Sequence, residues 1–522
     1  MNRRTLLGLG LALATTPARA AEDRTLRLAV SAPPANLDPQ YYTLTPSNMV
    51  ASHMFERLIQ RDAALAMKPG LATAWRLIDE TTWEFTLRDN VRFHDGTPLT
   101  ADDVAYTIAR APKVPSPSSF AVYTRAIKKV EVTGPLTIRL ITATPYPLLP
   151  VDIANLFILP HTLGDNVPSS DFNTGKAAIG TGPYRLESYR QGDELILVRN
   201  PTYWGDRPIW DRVIYRIVTN SAARVAALLS GDVDLIDSVP TTDAAKLRAD
   251  PRISVSQAPS LRLIYLALDV FRDVPLPEIT GPNGEKLARN PFQDLRVRQA
   301  LSMAINRPAI VERTMEGAAT AAGQFMPEGT FGWSPDLPPP KFDAAAARAL
   351  LAEAGYPNGF AMVLHGPNDR YVNDAQILQV IAQQWSRIGI KAQVNTAPLS
   401  NLIARASKFE CGAYLLGWSN SGGEPSTALR AILGTRDDAG GRGLSNYGRY
   451  ANPKVDALTD EGLRSLDDRK RETLMQEAMA ICMKDVAIIP LHLQKSVWAT
   501  RRGLVYEPRI DEQTLANSVR PA

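Results

Sequence analysis

Cysteine is nearly absent: the 522 residues contain two, Cys411 and Cys482. That excludes a disulfide scaffold. The pair fits either one bridge in an oxidising compartment or two small buried hydrophobes. Histidine is almost as scarce. His53, His94, His161, His365 and His492 stand singly, none at the spacing of a helix-borne metal site, so no metal is expected. A Gly-x-Ser-x-Gly elbow is missing, since the nearest string, Gly417-Trp418-Ser419-Asn420-Ser421, fails at its last position. No Walker sequence is present. Gly180-Thr181-Gly182-Pro183-Tyr184 lacks a third glycine and puts proline where a phosphate-binding helix should begin. With no nucleophile–base constellation, neither an enzyme nor a cofactor is expected. Net charge is small, +4 over the whole chain and +1 once the three arginines of the first twenty residues are removed. Such a balance gives no reason to expect nucleic acid or an anionic membrane as partner.

The first twenty residues resemble an export signal: basic Arg3-Arg4, an apolar core from Leu6 to Ala14, then Ala18-Arg19-Ala20 as a small-x-small cleavage site. The apolar core is far short of the roughly 20 residues a membrane span needs. The mature chain is expected to start at Ala21. No cysteine lies near the cleavage site, which excludes a lipoprotein, and the expected compartment is a Gram-negative periplasm. Arg3-Arg4-Thr5-Leu6-Leu7 partly resembles a twin-arginine signal, so the general and twin-arginine routes both stay open. A chain of this length exceeds one compact core and implies two or three domains. Forty prolines suit a loop-rich α/β protein better than a helical bundle.

The most informative stretch runs from Lys68 to Ala111. Trp83, Phe85 and Leu87 alternate with Thr82, Glu84, Thr86 and Arg88, which predicts a strand. His94-Asp95-Gly96-Thr97-Pro98 predicts a turn, because Asp-Gly tolerates positive φ and proline fixes its own. Thr100 is placed to cap a helix, with Asp103 as its capping-box partner and Val104, Ile108 and Ala111 on one face. Further on, Val213 to Val218, Ser221 to Ser230 and Gly231 to Ile236 predict a βαβ unit. Asp294 and Asp343 are placed as further caps, and Gly355 as a left-handed terminus.

These strings also carry a resemblance. Leu71-Ala72, Trp75, Val91-Arg92-Phe93-His94-Asp95-Gly96 and Ala101-Asp102-Asp103-Val104 resemble the signature segment of the extracytoplasmic solute-binding proteins of family 5. Asn36-Leu37-Asp38-Pro39, Gly180-Thr181-Gly182-Pro183-Tyr184 and Arg296-Val297-Arg298-Gln299-Ala300-Leu301 match the same family in the same order. The resemblance implies a two-lobed α/β clamp like the type II periplasmic binding proteins, with mixed sheets flanked by helices and an extra subdomain. Lobe I would comprise 21–62, 187–268 and 497–522, its subdomain 63–186, and lobe II 269–496. It implies the periplasmic substrate-binding component of an ABC importer, a monomer that closes on a peptide or peptide-like solute and delivers it to a permease and ATPase complex. A metal chelate or an opine-like compound is the alternative ligand. A periplasmic enzyme or a non-transport receptor using the same cleft is the alternative function.

Candidate ligand contacts follow from the loops. Trp418 offers an aromatic floor at a strand end, with a core tryptophan as the plain alternative. Asn420, Ser421 and Glu424 lie in the Gly-rich loop after it. In peptide-binding members an Asp three residues after this Trp holds the peptide α-ammonium; here that position is Ser421. A hydroxyl supplies no compensating charge, so a solute without a free α-ammonium is expected. Tyr41 and Tyr42, after Asp38-Pro39, are candidate cleft aromatics. Arg370 and Tyr371 are candidates for holding a ligand carboxylate, which a guanidinium matches bidentately.

Overall fold

The computed structural model describes residues 24–116, 120–420 and 422–522. The export signal, Ala21 and Ser421 therefore lie outside the described residues.

One mixed sheet of eleven strands runs through the molecule. Its middle is made by two long strands, Ile253–Leu268 and Ile489–Arg501. Between Ile253 and Pro259 the first pairs with Arg501 to Lys495; between Leu263 and Leu266 it pairs with Leu493 to Ile489. The register breaks between Pro259 and Leu263, where proline has no N–H to give to a ladder. On one side of the break the sheet continues through Leu235–Ile236, Thr25–Val30, Arg212–Ile217, Glu194–Arg199 and Tyr184–Arg190. On the other it continues through Ala413–Ser419, Ala361–Pro367 and Lys391–Ala397. These two halves are the bodies of the two lobes. The βαβ unit forms as expected, with Thr25–Val30 inserted between its strands and parallel to both.

Helices cover both faces, so alternate residues of one strand serve different cores. Ile264, Leu266 and Leu268 pack into one cluster with Val297, Leu301 and Trp385. Leu263, Tyr265 and Ala267 pack into another, which also holds both buried, free thiols, Cys411 and Cys482. Burial of each such aliphatic side chain contributes roughly 1.5–3 kcal/mol. Asp294 caps the Leu295–Met303 helix through the Arg296 N–H, and Asp343 caps Ala344–Glu353. Gly355 ends that segment at φ 94°.

The signature stretch builds a four-stranded antiparallel sheet, in the order Ala72–Asp79, Thr82–Leu87, Thr137–Thr142, Ile127–Gly134. Phe85 and Leu87 face its core. The alternation placed Glu84 on an open polar face, but it is buried. The strand is central, and Glu84 pairs across it with Arg76 and Arg139 on the two neighbours. Thr100 and Asp103 form the expected capping box, the Thr100 N–H donating to the Asp103 carboxylate.

The His94 turn bolts this sheet to the rest. Asp95 accepts from the Thr97 N–H and hydroxyl, closing the turn. The His94 ring meets the Gly182 carbonyl and accepts from the Gly180 N–H. Burial pushes the imidazole down to about 4, so it is neutral and can accept. Gly180 and Gly182 lie against the 53–54 backbone: a Cβ on Gly182 would sit 2.5 Å from the His53 carbonyl oxygen, and one on Gly180 would collide with that of Met54. The two motifs are the two sides of one seam.

Candidate functional site

A cavity of about 950 Å³ lies against the register break of the two long strands. Leu261 and Arg262 come from the break itself, and Gly417, Trp418 and Ser419 from the end of the neighbouring strand. Residues 43–61 and the segment around Tyr146 and Asp152 form one wall; Arg370, Glu424 and Arg430 belong to the opposite one. The chain end closes it with Arg509, Asp511 and Gln513. The two walls touch: a Cβ on Gly422 would lie 3.6 Å from Val151.

Below the cavity, Arg262 donates two hydrogen bonds to Glu512, at 2.7 and 3.1 Å, and the Ser260 hydroxyl donates a third at 2.6 Å. Burial raises the Glu512 pKa, but the Arg262 guanidinium more than offsets it and draws the group down to about 2. Glu512 holds a left-handed backbone, φ 65°, which costs a non-glycine residue free energy. The ion pair accounts for its persistence at a point where both strands change register.

Four carboxylates line the cavity. Asp511 is paired with Arg509. Glu424 contacts Arg471 and the Ser426 hydroxyl, with burial raising its pKa against the pull of Arg471. Glu56 accepts from Thr181, Tyr203 and Trp204, all neutral donors, and burial pushes it up to about 7. Asp152 accepts from the Tyr146 hydroxyl at 2.8 Å and is likewise pushed up to about 7 by burial.

The residues singled out from sequence fall in three places. Trp418, Arg370 and Glu424 line the cavity. Tyr371 and Asn420 stand behind it. Tyr371 is buried and donates to the Gly417 carbonyl at 3.2 Å, and its ring fills the space a side chain on residue 417 would need. Asn420 is fully buried and joins Phe325 to Thr427. Tyr41 and Tyr42 do not line this cavity; residues 43–45 and Asn48 do. The reason lies in Asp38, which is buried in a bidentate pair with Arg110 and also accepts from Ser169. That anchor turns the chain at Asp38 to Tyr41 before it reaches the cleft. Sequence reasoning missed Arg57, Arg125, Asp152, Arg430 and Glu512. They come from five separate segments with no local pattern, and only the charge of each side chain could have drawn attention to it.

Two lobes joined by crossing strands over a polar, aromatic-floored cavity have the form of a solute-binding clamp. The comparisons agree. Residues 66–440 match the family described as bacterial extracellular solute-binding proteins, family 5 Middle. The chain is 29% identical over 509 residues to the glutathione-binding protein GsiB of Salmonella paratyphi A, covering 95% of this chain and 94% of that protein. It is 27% identical over 508 residues to Heme-binding protein A of Haemophilus influenzae, covering 92% and 88%. Among solved structures, the ABC transporter-associated periplasmic binding protein DppA from Helicobacter pylori, in complex with the peptide STSA, is similar with a TM-score of 0.79. It shares 23% identity, over 95% of this chain and 98% of that one. The chain belongs to the family 5 bacterial extracellular solute-binding proteins, and so acts as a solute-binding component of an ABC importer.

Proposed function

We propose that this protein captures a peptide-like solute in the cavity beside the crossing strands and closes over it by bending at the register break. Trp418 floors the solute and Arg370 reaches a carboxylate on it. The observation that carries this reading is the coincidence of the cavity of about 950 Å³ with the stretch where the two long strands lose register, between Pro259 and Leu263 and again between Ile264 and Tyr265. The lobes in this account are 21–62 with 187–262 and 497–522, and 263–496, the subdomain being 63–186; the boundary expected at 268 moves to the register break because 263–268 pairs and packs with the second half of the sheet. The chain is exported to the periplasm by a cleaved leader and works as a monomer. Its closed form docks on a membrane permease driven by ATPase subunits.

The solute lacks a free α-ammonium. Ser stands at position 421, Glu424 and Asp511 are held by Arg471 and Arg509, and Glu56 is occupied by three donors. An ammonium stripped of water in this cleft would meet little compensating charge. Blocked peptides, opine-like compounds and chelates fit the same condition. Native mass spectrometry of protein purified from its own periplasm, followed by denaturation, tests this. A released solute with a blocked or absent amino terminus is expected; a released peptide with a free amine contradicts it.

A further inference from the structure

We infer that the cleft takes a polyanionic solute, one with at least two carboxylate or phosphate groups, which bridges Arg125 on the subdomain wall to Arg430 and Arg370 on the opposite wall. The inference rests on the solute-binding reading above and names the class of solute.

Arg57, Arg125, Arg370 and Arg430 all line the cavity, and none has a carboxylate within ion-pair distance among the described residues. Arg125 and Arg430 come from different walls yet converge on one turn. Arg430 donates to the Gly440 carbonyl at 3.1 Å, and a Cβ on Gly441 would lie 3.8 Å from Arg125 Nη1. Burial, and then the nearby Arg125 charge, lowers the Arg430 pKa. Arg370 stands in the same relation to Arg262, whose own charge is already taken by Glu512. The Arg57 guanidinium sits over Phe157, 3.8 Å from the ring centroid, and its Nε is buried with no hydrogen-bond partner among the described residues.

Against these cations the cavity offers, among the described residues, only Asp152 and Glu56 as acids outside an ion pair; Arg125 and Arg61 act on Asp152 and Arg88 on Glu56, but burial outweighs these charges and favours the neutral form of both. Like charges on facing walls oppose closure in a poorly hydrated space. An anion placed between them reverses the sign, so binding and closure become one step. Guanidinium is also the side chain best matched to carboxylate or phosphate, through two parallel hydrogen bonds.

The test uses the full mature protein and an extract of its own periplasm, separated on an anion exchanger into anionic, neutral and cationic pools. Thermal unfolding is followed with each pool. A rise in Tm with the anionic pool alone is expected, and Arg125→Gln and Arg370→Gln, both at exposed positions, should each raise the amount of pool needed by about 10- to 100-fold. Loss of the effect after methyl esterification identifies carboxylates, and loss after phosphatase identifies phosphates. A rise with the neutral or cationic pool overturns the polyanion inference while leaving solute capture intact. Unchanged binding by both variants, with their unligated Tm intact, overturns the bridging role. No rise with any pool contradicts solute capture itself, and this inference with it.

Discussion

Replacing Glu512 by Gln probes the point where the lobes meet. The substitution keeps the shape and removes the charge that Arg262 faces. Only 9% of the Arg262 side chain is exposed, with Arg370 nearby and no second acid in contact among the described residues. Two routes give the magnitude. A carboxyl held at about 2 in the folded protein against 4.5 when unfolded contributes about 3 kcal/mol at neutral pH. Removing one partner of a buried pair costs ~3–5 kcal/mol, less here because glutamine still accepts from Ser260 and from one Arg262 N–H. A loss of about 3 kcal/mol is therefore expected in urea unfolding at pH 7. The sign with pH follows from the depressed pKa. This stability is fully present above pH 4.5 and is lost as pH falls through 2, so the gap between Glu512→Gln and wild type should shrink over that window. A variant within about 0.5 kcal/mol of wild type at pH 7, or a gap that does not narrow in acid, would refute the assignment.

Other outcomes follow from the same reasoning. Asp38→Asn removes the charge that the buried Arg110 faces while keeping one acceptor oxygen, and should lower stability by about 3 kcal/mol; urea unfolding measures it. Gly180→Ala drives a Cβ into the Met54 carbonyl, so a loss of ~1–3 kcal/mol is expected, with protease cutting near the 53–54 and 180–182 seam as the local readout. His492 is fully buried with neither ring nitrogen partnered among the described residues, and burial pushes it down to about 4. Wild type should lose stability as pH falls from 6.5 through 4 on its account, and His492→Leu should remove about 3 kcal/mol of that loss by pH 4, read from unfolding at pH 7 and pH 4.

Local chemistry explains which parts of the molecule were legible in the chain. Thr100, Asp294 and Asp343 act within three residues of themselves, so their roles can be read from spacing alone. The strand around Phe85 was legible from its alternation, but the burial of Glu84 was not. Its partners Arg76 and Arg139 lie 8 and 55 residues away, and strand order decides that they meet. The cleft divides the same way. Trp418 stands at a strand end, a position the pattern marks. Arg125 and Glu512 are single charged residues in turns and loops and Arg430 one in the short helical segment Leu429–Leu433, set around the crossing of two strands whose full lengths the sequence pattern understated. Tyr41 and Tyr42 were placed one turn too early because the Asp38–Arg110 pair, 72 residues apart, sets where the chain enters the cleft.

The central claim is that the lobes close over a solute by bending at the register break. Electron–electron resonance between spin labels at Val132→Cys and Leu466→Cys measures it directly, since both side chains are exposed, one on the subdomain and one on lobe II. The native thiols Cys411 and Cys482 are buried and should not take label. Adding the solute released from periplasmic protein should move the distance distribution to shorter values and narrow it. An unchanged distribution, with native mass spectrometry showing the solute bound, would contradict the account.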